Sequence, residues 1–188
     1  MRPLARTDCV YTKLFCEENI WQLAALFIKQ AVPASALEVL FISNHSKQVA
    51  VFSQNGGSLK QPLIWDYHVV LLHRQPSGYV IYDFDSLADF PCAAKTYLDL
   101  SFPQLRSEAA EYRPLFRFIA APEYLLRFSS DRSHMQHLIE AHAFPTYPVI
   151  MPEKASTAIT LQQYRDFNLA LCDNSYILNR QQFLQKIS

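Results

Sequence analysis

The stretch Ile64-Trp-Asp-Tyr-His68-Val-Val-Leu-Leu-His73-Arg-Gln-Pro-Ser-Gly78-Tyr-Val-Ile-Tyr82-Asp83-Phe-Asp85 decides the fold. Its flanks, Ile64–His73 and Tyr79–Asp85, are rich in β-branched and aromatic residues, which suit a pleated, half-buried surface. Between them Arg74-Gln75-Pro76-Ser77-Gly78 has turn chemistry, because proline presets one backbone angle and glycine accepts another that side chains resist. The spacing predicts an antiparallel hairpin. With the turn centred between Gln75 and Pro76, residue 72 faces 79, residue 70 faces 81, and His68 faces Asp83. Directly opposed residues hold their Cβ atoms about 5 Å apart. A carboxylate there accepts a hydrogen bond from one ring nitrogen, fixes the tautomer and aims the other nitrogen at a third group. A one-residue slip would break this pairing.

Working outward, Leu37–Ser43, Gln48–Ser53 and Leu115–Ala120 also read as strands. Asn55-Gly56-Gly57 is a turn signal. Ile20, Leu23, Ala24, Phe27 and Ile28 recur at helical spacing, so Glu17–Gln30 reads as a helix with one buried face, limited by Pro33. Pro122 suits the first turn of a short helix, Glu123–Phe128. Asp131–Ile139 reads as a further helical piece, and Phe144–Pro152, broken by three prolines, as ordered loop. Thr160 with Gln163, and Asn179 with Gln182, are capping-box spacings for two late helices. The fold class expected is α+β: an N-terminal helix packed on a largely antiparallel sheet, in one domain spanning residues 1–188.

Half of the 188 residues are apolar and the formal net charge is zero. A chain of this size buries a core without staples. Without a basic excess, it is not expected to bind nucleic acid or an anionic membrane surface. Three glycines, Gly56, Gly57 and Gly78, cannot compose a phosphate loop or a dinucleotide fingerprint. The N-terminus carries no secretory pattern and no apolar run is long enough to span a bilayer, so the expected location is cytoplasmic, and nuclear as well in a eukaryote. In a reducing compartment the four cysteines, Cys9, Cys16, Cys92 and Cys172, are thiols rather than disulfides.

Cys16 stands at the start of the first helix. The helix dipole favours thiolate there, and unpaired backbone N–H groups can build an oxyanion site beside the sulfur. A lone cysteine is ordinarily a small buried hydrophobe, so the catalytic reading rests on its partners. Cys16, His68 and Asp83 follow one another in the order helix, strand, strand. That is the order of a thiol acyl-transfer site on a papain-like or transglutaminase-like core.

These residues lie inside longer words. Cys9-Val-Tyr-Thr-Lys-Leu-Phe-Cys16-Glu-Glu-Asn-Ile-Trp21, Phe41-Ile-Ser-Asn44, Trp65-Asp-Tyr-His-Val-Val-Leu-Leu-His73, Tyr82-Asp-Phe-Asp85, Phe90-Pro-Cys92 and Ser130-Asp-Arg-Ser-His-Met135 occur in this order. Together they resemble the protein N-terminal glutamine amidohydrolase family from Cys9 to about Pro148, with a looser match beyond, in the manner of a C-terminal cap. Phe84 and Ala88-Asp89 depart from the pattern in ways that bear on pocket shape. The resemblance implies a hydrolase that converts an N-terminal glutamine of a protein or peptide to glutamate and releases ammonia. It implies a catalytic Cys16, His68 and Asp83, a transglutaminase-like core, no metal and no organic cofactor. It also implies a place in N-degron turnover, because the product exposes a destabilising residue. A monomer is expected.

Specificity for a chain terminus requires recognition of the α-ammonium by a buried carboxylate or by carbonyls. Glu17, Glu18, Asp66 and Asp131 are candidates, although Glu17 and Glu18 are also favourable first-turn charges. Asp66 shares the strand face of His68. Tyr11, Trp21, Trp65 and Tyr67 are candidate pocket walls, with Trp65 and Tyr67 on the opposite face from His68 if the strand is regular. For Asp131-Arg132-Ser133-His134 an ion pair or a cap that shapes the pocket is expected. Cys9 and Cys92 are assigned to packing or pocket lining, and Cys172 to the core. Three rival readings remain: another cysteine enzyme on the same core (internal-glutamine deamidase, transglutaminase or peptidase), a non-catalytic module that binds N-termini, and a zinc site drawing on His134, His137, His142 and Cys9 or Cys172.

Overall fold

The computed structural model describes residues 4–57, 61–104 and 109–188. In chain order the elements are α1 (Cys16–Lys29), β1 (Leu37–Ser43), β2 (Val49–Val51), β3 (Leu63–Trp65), β4 (His68–Gln75), β5 (Gly78–Tyr82), β6 (Cys92–Ala93), α2 (Ala94–Ser101), β7 (Leu115–Ala120), α3 (Ala121–Arg127), β8 (Phe128–Ser129), β9 (Ile159–Thr160), α4 (Leu161–Tyr164), β10 (Tyr176–Asn179) and α5 (Arg180–Ile187). Six strands form one sheet in the order β10-β7-β1-β4-β5-β6, and every pairing in it is antiparallel. The α+β class with a largely antiparallel sheet is therefore as expected.

Strand alternation sorts the sheet into two cores. Val39, Phe41, Val69 and Leu71 face α1, where Ile20, Leu23, Ala24 and Phe27 supply the buried stripe, with Tyr124 of α3 and Tyr164 of α4 beside them. Leu40, Ile42, Val70, Leu72, Phe116 and Phe118 face the other way, against Tyr97 and Leu98 of α2 and Phe183 of α5. Each fully buried apolar side chain of this kind contributes about 1.5–3 kcal/mol. Both late capping boxes form, with Thr160 and Asn179 accepting from the amides of Gln163 and Gln182.

The hairpin register differs from expectation. Gln75 pairs with Gly78 across the two-residue turn Pro76-Ser77, where Gly78 has φ +121°, and Leu72 faces Ile81. The turn centre lies one residue later than expected, so every pairing moves by two. An even shift keeps each side chain on its face. His68 is thus not opposed to Asp83, and the ladder ends at Leu71–Tyr82. The single strand expected over Ile64–His73 is also two strands. A bend at Asp66 and Tyr67 separates β3, which pairs with β2 in a small second sheet, from β4.

Two further expectations change. Asp131–Ile139 holds a single 3-10 turn at Ser133–Met135 in place of a helix. The Asp131 carboxylate accepts from the Ser133 amide, and such a local bond competes with helix formation. Cys172 is exposed rather than part of the core, while Cys92 is buried and Cys9 partly so, and all four cysteines are free thiols. Among the described residues no helix is long and apolar enough to cross a membrane.

Candidate active site

The site assembles where the N-terminus of α1 meets the first residue of β4. Asn19, fully buried on α1, clamps the preceding loop to the helix. Its side-chain oxygen accepts from the Thr12 amide at 2.8 Å and its nitrogen donates to the Thr12 carbonyl at 2.8 Å. Leu14 turns the chain with a positive φ of 70°, and Phe15 enters the helix without a capping side chain. Cys16 follows as the first helical residue, only 7% exposed, so first-turn N–H groups around it are not taken by a cap.

The main-chain N–H of Val69, the residue after His68, acts on the Cys16 thiol and favours its ionised form. The thiol also donates to Glu17 Oε2 at 3.6 Å. Burial, then the Glu17 and Asp85 carboxylates, push the thiol well above its usual range, and the Val69 N–H only partly opposes them. The preference for thiolate expected from the helix start is outweighed while the site is at rest.

His68 and Asp83 are both fully buried and meet diagonally past the end of the ladder. His68 Nε2 lies 2.9 Å from Asp83 Oδ1. Three more donors converge on that carboxylate: the Asp85 amide on Oδ1 at 2.9 Å, and the Tyr97 hydroxyl and Gln54 Nε2 on Oδ2 at 2.8 and 3.1 Å. Burial alone would raise Asp83, but the charge and hydrogen bond of His68 with these donors hold it at about 2. An ionised Asp83 can only accept, so Nε2 carries a proton. Burial works against imidazolium at His68, yet the adjoining carboxylates carry the net shift upward. The Nδ1 atom is buried and has no hydrogen-bond partner among the described residues.

The other residues singled out from the sequence divide. Glu17 lies at the sulfur. Its carboxyl is buried, accepts from the Tyr67 hydroxyl at 3.0 Å, and is pushed up by burial to about 7. Tyr11 lies beside the site, donating to Asp85 Oδ1 at 2.6 Å. Trp65 packs against His68 with the rings tilted at 33° and 5.1 Å between centroids, on the same side rather than the opposite one, because the bend at Asp66 and Tyr67 breaks the alternation. Tyr67 does point the other way, into the α1 core, while Trp21 is partly buried against that core. Asp66 and Asp131 are not brought to the site. Asp66 pairs with Arg165 at 3.1 Å and holds the Tyr67 amide, and Asp131 is exposed and bonds Ser133. Glu18 is fully buried and held by Arg132, with Nε on Oε1 at 2.8 Å and Nη2 on Oε2 at 2.5 Å, and by the Ser130 hydroxyl. The Ser130–Met135 word therefore supplies the ion pair expected of it, anchored on the second residue of α1.

Sequence reading missed Gln54, Tyr97 and Asp85. Tyr97 lies on α2, a helix it did not find, and Gln54 lies in the segment after β2, tied by an isolated bridge to Ser86 in the segment after β5. Asp85 alone carried a signal, two residues beyond Asp83 in a quoted word. For metal binding, His68, Asp83 and Asp85 are the one group among the described residues whose donor atoms lie within 4.8 Å of one another. Both Asp83 oxygens and the facing His68 nitrogen are committed to the hydrogen bonds above, so the set is built as a proton network. His137 and His142 are exposed, His142 against Glu140 at 3.2 Å, and the side chain of His134 lies outside the described residues.

A thiol at a helix start beside a buried imidazole–carboxylate pair, on an antiparallel sheet, defines an α+β protein with a candidate hydrolytic centre. A family model described as N-terminal glutamine amidase matches residues 11–187, including the C-terminal segment that the motif words matched only loosely. Relatives named protein N-terminal glutamine amidohydrolase from Bos taurus and Homo sapiens are each 42% identical over 134 residues, which is 70% of this chain and 64% and 65% of theirs. A Danio rerio relative of the same name is 38% identical over 131 residues, covering 69% of this chain and 65% of its own. The matches thus span just under two thirds of the length of these curated relatives. The chain belongs to the N-terminal glutamine amidase family.

Proposed function

We propose that this chain deamidates the N-terminal glutamine of proteins and peptides, giving glutamate and ammonia through a thioester on Cys16. The core is read as papain-like or transglutaminase-like, with the thiol opening α1 and the His68 and Asp83 strands following. The observation that carries the reading is the buried His68–Asp83 pair whose remaining nitrogen, Nδ1, has no hydrogen-bond partner among the described residues, one residue from the main-chain N–H that acts on the Cys16 thiol.

Proton transfer from Cys16 to His68 creates two opposite charges together. Burial penalises a lone thiolate, but an adjacent imidazolium compensates it. The thiolate attacks the side-chain amide carbon, and first-turn N–H groups of α1 hold the oxyanion. His68 then protonates the departing ammonia, with Asp83 stabilising the imidazolium. Water activated by His68 hydrolyses the thioester to glutamate. The free thiols suit a reducing, cytoplasmic setting, or also a nuclear one, and a monomer suffices because every group invoked belongs to one chain.

Mass spectrometry of peptides beginning with Gln, Asn and acetyl-Gln, and of one with internal Gln, tests the reading. Ammonia release from the Gln-initiated peptide alone is expected, and none with Cys16→Ala. Internal deamidation, cleavage or cross-linking would point to a different cysteine enzyme, and binding without ammonia release to a non-catalytic module. A folded Cys16→Ala protein with full activity would end the proposal.

A further inference from the structure

We infer that Asp85, positioned by Tyr11, is the receptor for the substrate α-ammonium, an inference that rests on the activity proposed above. The acidic residues around the thiol have separate fates. Glu18 is neutralised by Arg132, Asp83 is saturated by four donors, and Asp66 is drawn away by Arg165. Glu17 is 2% exposed and sealed under the helix start by Tyr67. Asp85 differs on every count. Its residue is partly exposed, and among the described residues no cation pairs with it.

Its place fits the task. Asp85 has a carboxylate oxygen within 4.8 Å of a His68 ring nitrogen, and its charge is felt by the Cys16 thiol. In glutamine four bonds separate the α-nitrogen from the side-chain carbonyl carbon, a span of about 5 Å when extended. An anion at this distance from the reacting groups can hold the ammonium while the amide carbon meets the sulfur. The carboxylate is held from both ends. The Tyr11 hydroxyl donates to Oδ1, the Asp85 carbonyl accepts from the Asn55 amide at 2.6 Å, and its own amide donates to Asp83. Tyr11 also walls an open cavity of about 430 Å³ with Leu14, Ile139, Phe144 and Tyr147, which leaves room for the chain that follows the glutamine. An internal glutamine offers no cation to this carboxylate, and an acetylated terminus offers none either, so a single charge pair separates the N-terminal residue from all others.

The test compares a Gln-initiated peptide with its des-amino analogue, which carries a 4-carbamoylbutanoyl group and lacks only the α-amine. For the wild type, kcat/KM should favour the amine by roughly ten- to a hundredfold, the range of a charged hydrogen bond. In Asp85→Asn this ratio should fall to near one. In Tyr11→Phe, which keeps the charge but frees it, the ratio should fall partway. A ratio isolates the α-amine, because damage to folding or chemistry lowers both substrates alike. An unchanged ratio in Asp85→Asn, or its collapse in Glu17→Gln instead, overturns the role of Asp85 while leaving the activity standing. No ammonia from the wild type with either substrate overturns the activity and this role with it.

Discussion

The two halves of the candidate site are built on opposite principles. The imidazole–carboxylate half, on the α2 side of the sheet, is saturated: Asp83 takes hydrogen bonds from His68, Asp85, Tyr97 and Gln54 and stays ionised deep in the protein. The thiol half, on the α1 side, is under-compensated: Cys16 and Glu17 are buried together, and each is pushed toward its neutral form. A saturated half holds its geometry without reorganising. An under-compensated half gains most from an arriving positive charge, whether the imidazolium of His68 or the ammonium of a substrate. In the proposed reaction this contrast lets a thiol held toward its neutral form act as a nucleophile once substrate is bound.

The largest effect should come from breaking the saturated half. Asp83→Asn keeps the shape but removes the charge that fixes the His68 proton on Nε2, and kcat should fall roughly 10²- to 10⁴-fold. Steady-state ammonia release measures it, and a loss below fivefold would mean that the pair is structural. Asp83 also gives this half a pH signature. A carboxyl depressed from 3.8 to about 2 on folding stabilises the protein above the unfolded value, and that stability is lost as pH falls through about 2. Acid denaturation of Asp83→Asn should lack this component.

Next in size is the anchor beneath the thiol half. Arg132→Gln leaves Glu18 charged, fully buried and without its cation, which should cost about 3–5 kcal/mol in a denaturant titration. Adding Glu18→Gln to that variant should recover much of the loss. If the double variant is no more stable than the single one, burial of the charge is not the cause.

The smallest effect sharpens the contrast from the other side. Glu17 is raised from 4.5 to about 7, so the folded state binds the extra proton and stability falls as pH rises through that window. Glu17→Gln should flatten the decline and stabilise the protein at pH 8 by no more than about 3 kcal/mol. Thermal melts at pH 5 and 8 read the difference, and parallel curves for the two proteins would show that Glu17 carries no such strain.

Much of this architecture is legible in the sequence, for local reasons. The bounds of β1 and β7 were legible because runs of β-branched and aromatic residues end at polar or helix-starting positions, and both capping boxes because their spacing is stereotyped. His68 and Asp83 could be paired because an error of two in register preserves the face. What escaped depended on irregularity or on long-range contact. The bend at Asp66 and Tyr67 reverses Trp65 relative to His68, and strict alternation cannot foresee it. Helix α2 lacks a capping signal, so Tyr97 and its bond to Asp83 stayed hidden. The bond from Tyr11 to Asp85 joins residues 74 apart in the chain, which no local pattern discloses.

The central claim is that Cys16 carries the substrate as a thioester. Rapid acid quench of the protein with a Gln-initiated peptide, followed by intact mass analysis and peptide mapping, tests it directly. The account predicts an adduct on Cys16 equal to the peptide mass less ammonia, formed before glutamate appears and absent in Cys16→Ala. Ammonia release at full rate with no adduct, and its persistence in a folded Cys16→Ala protein, would contradict it.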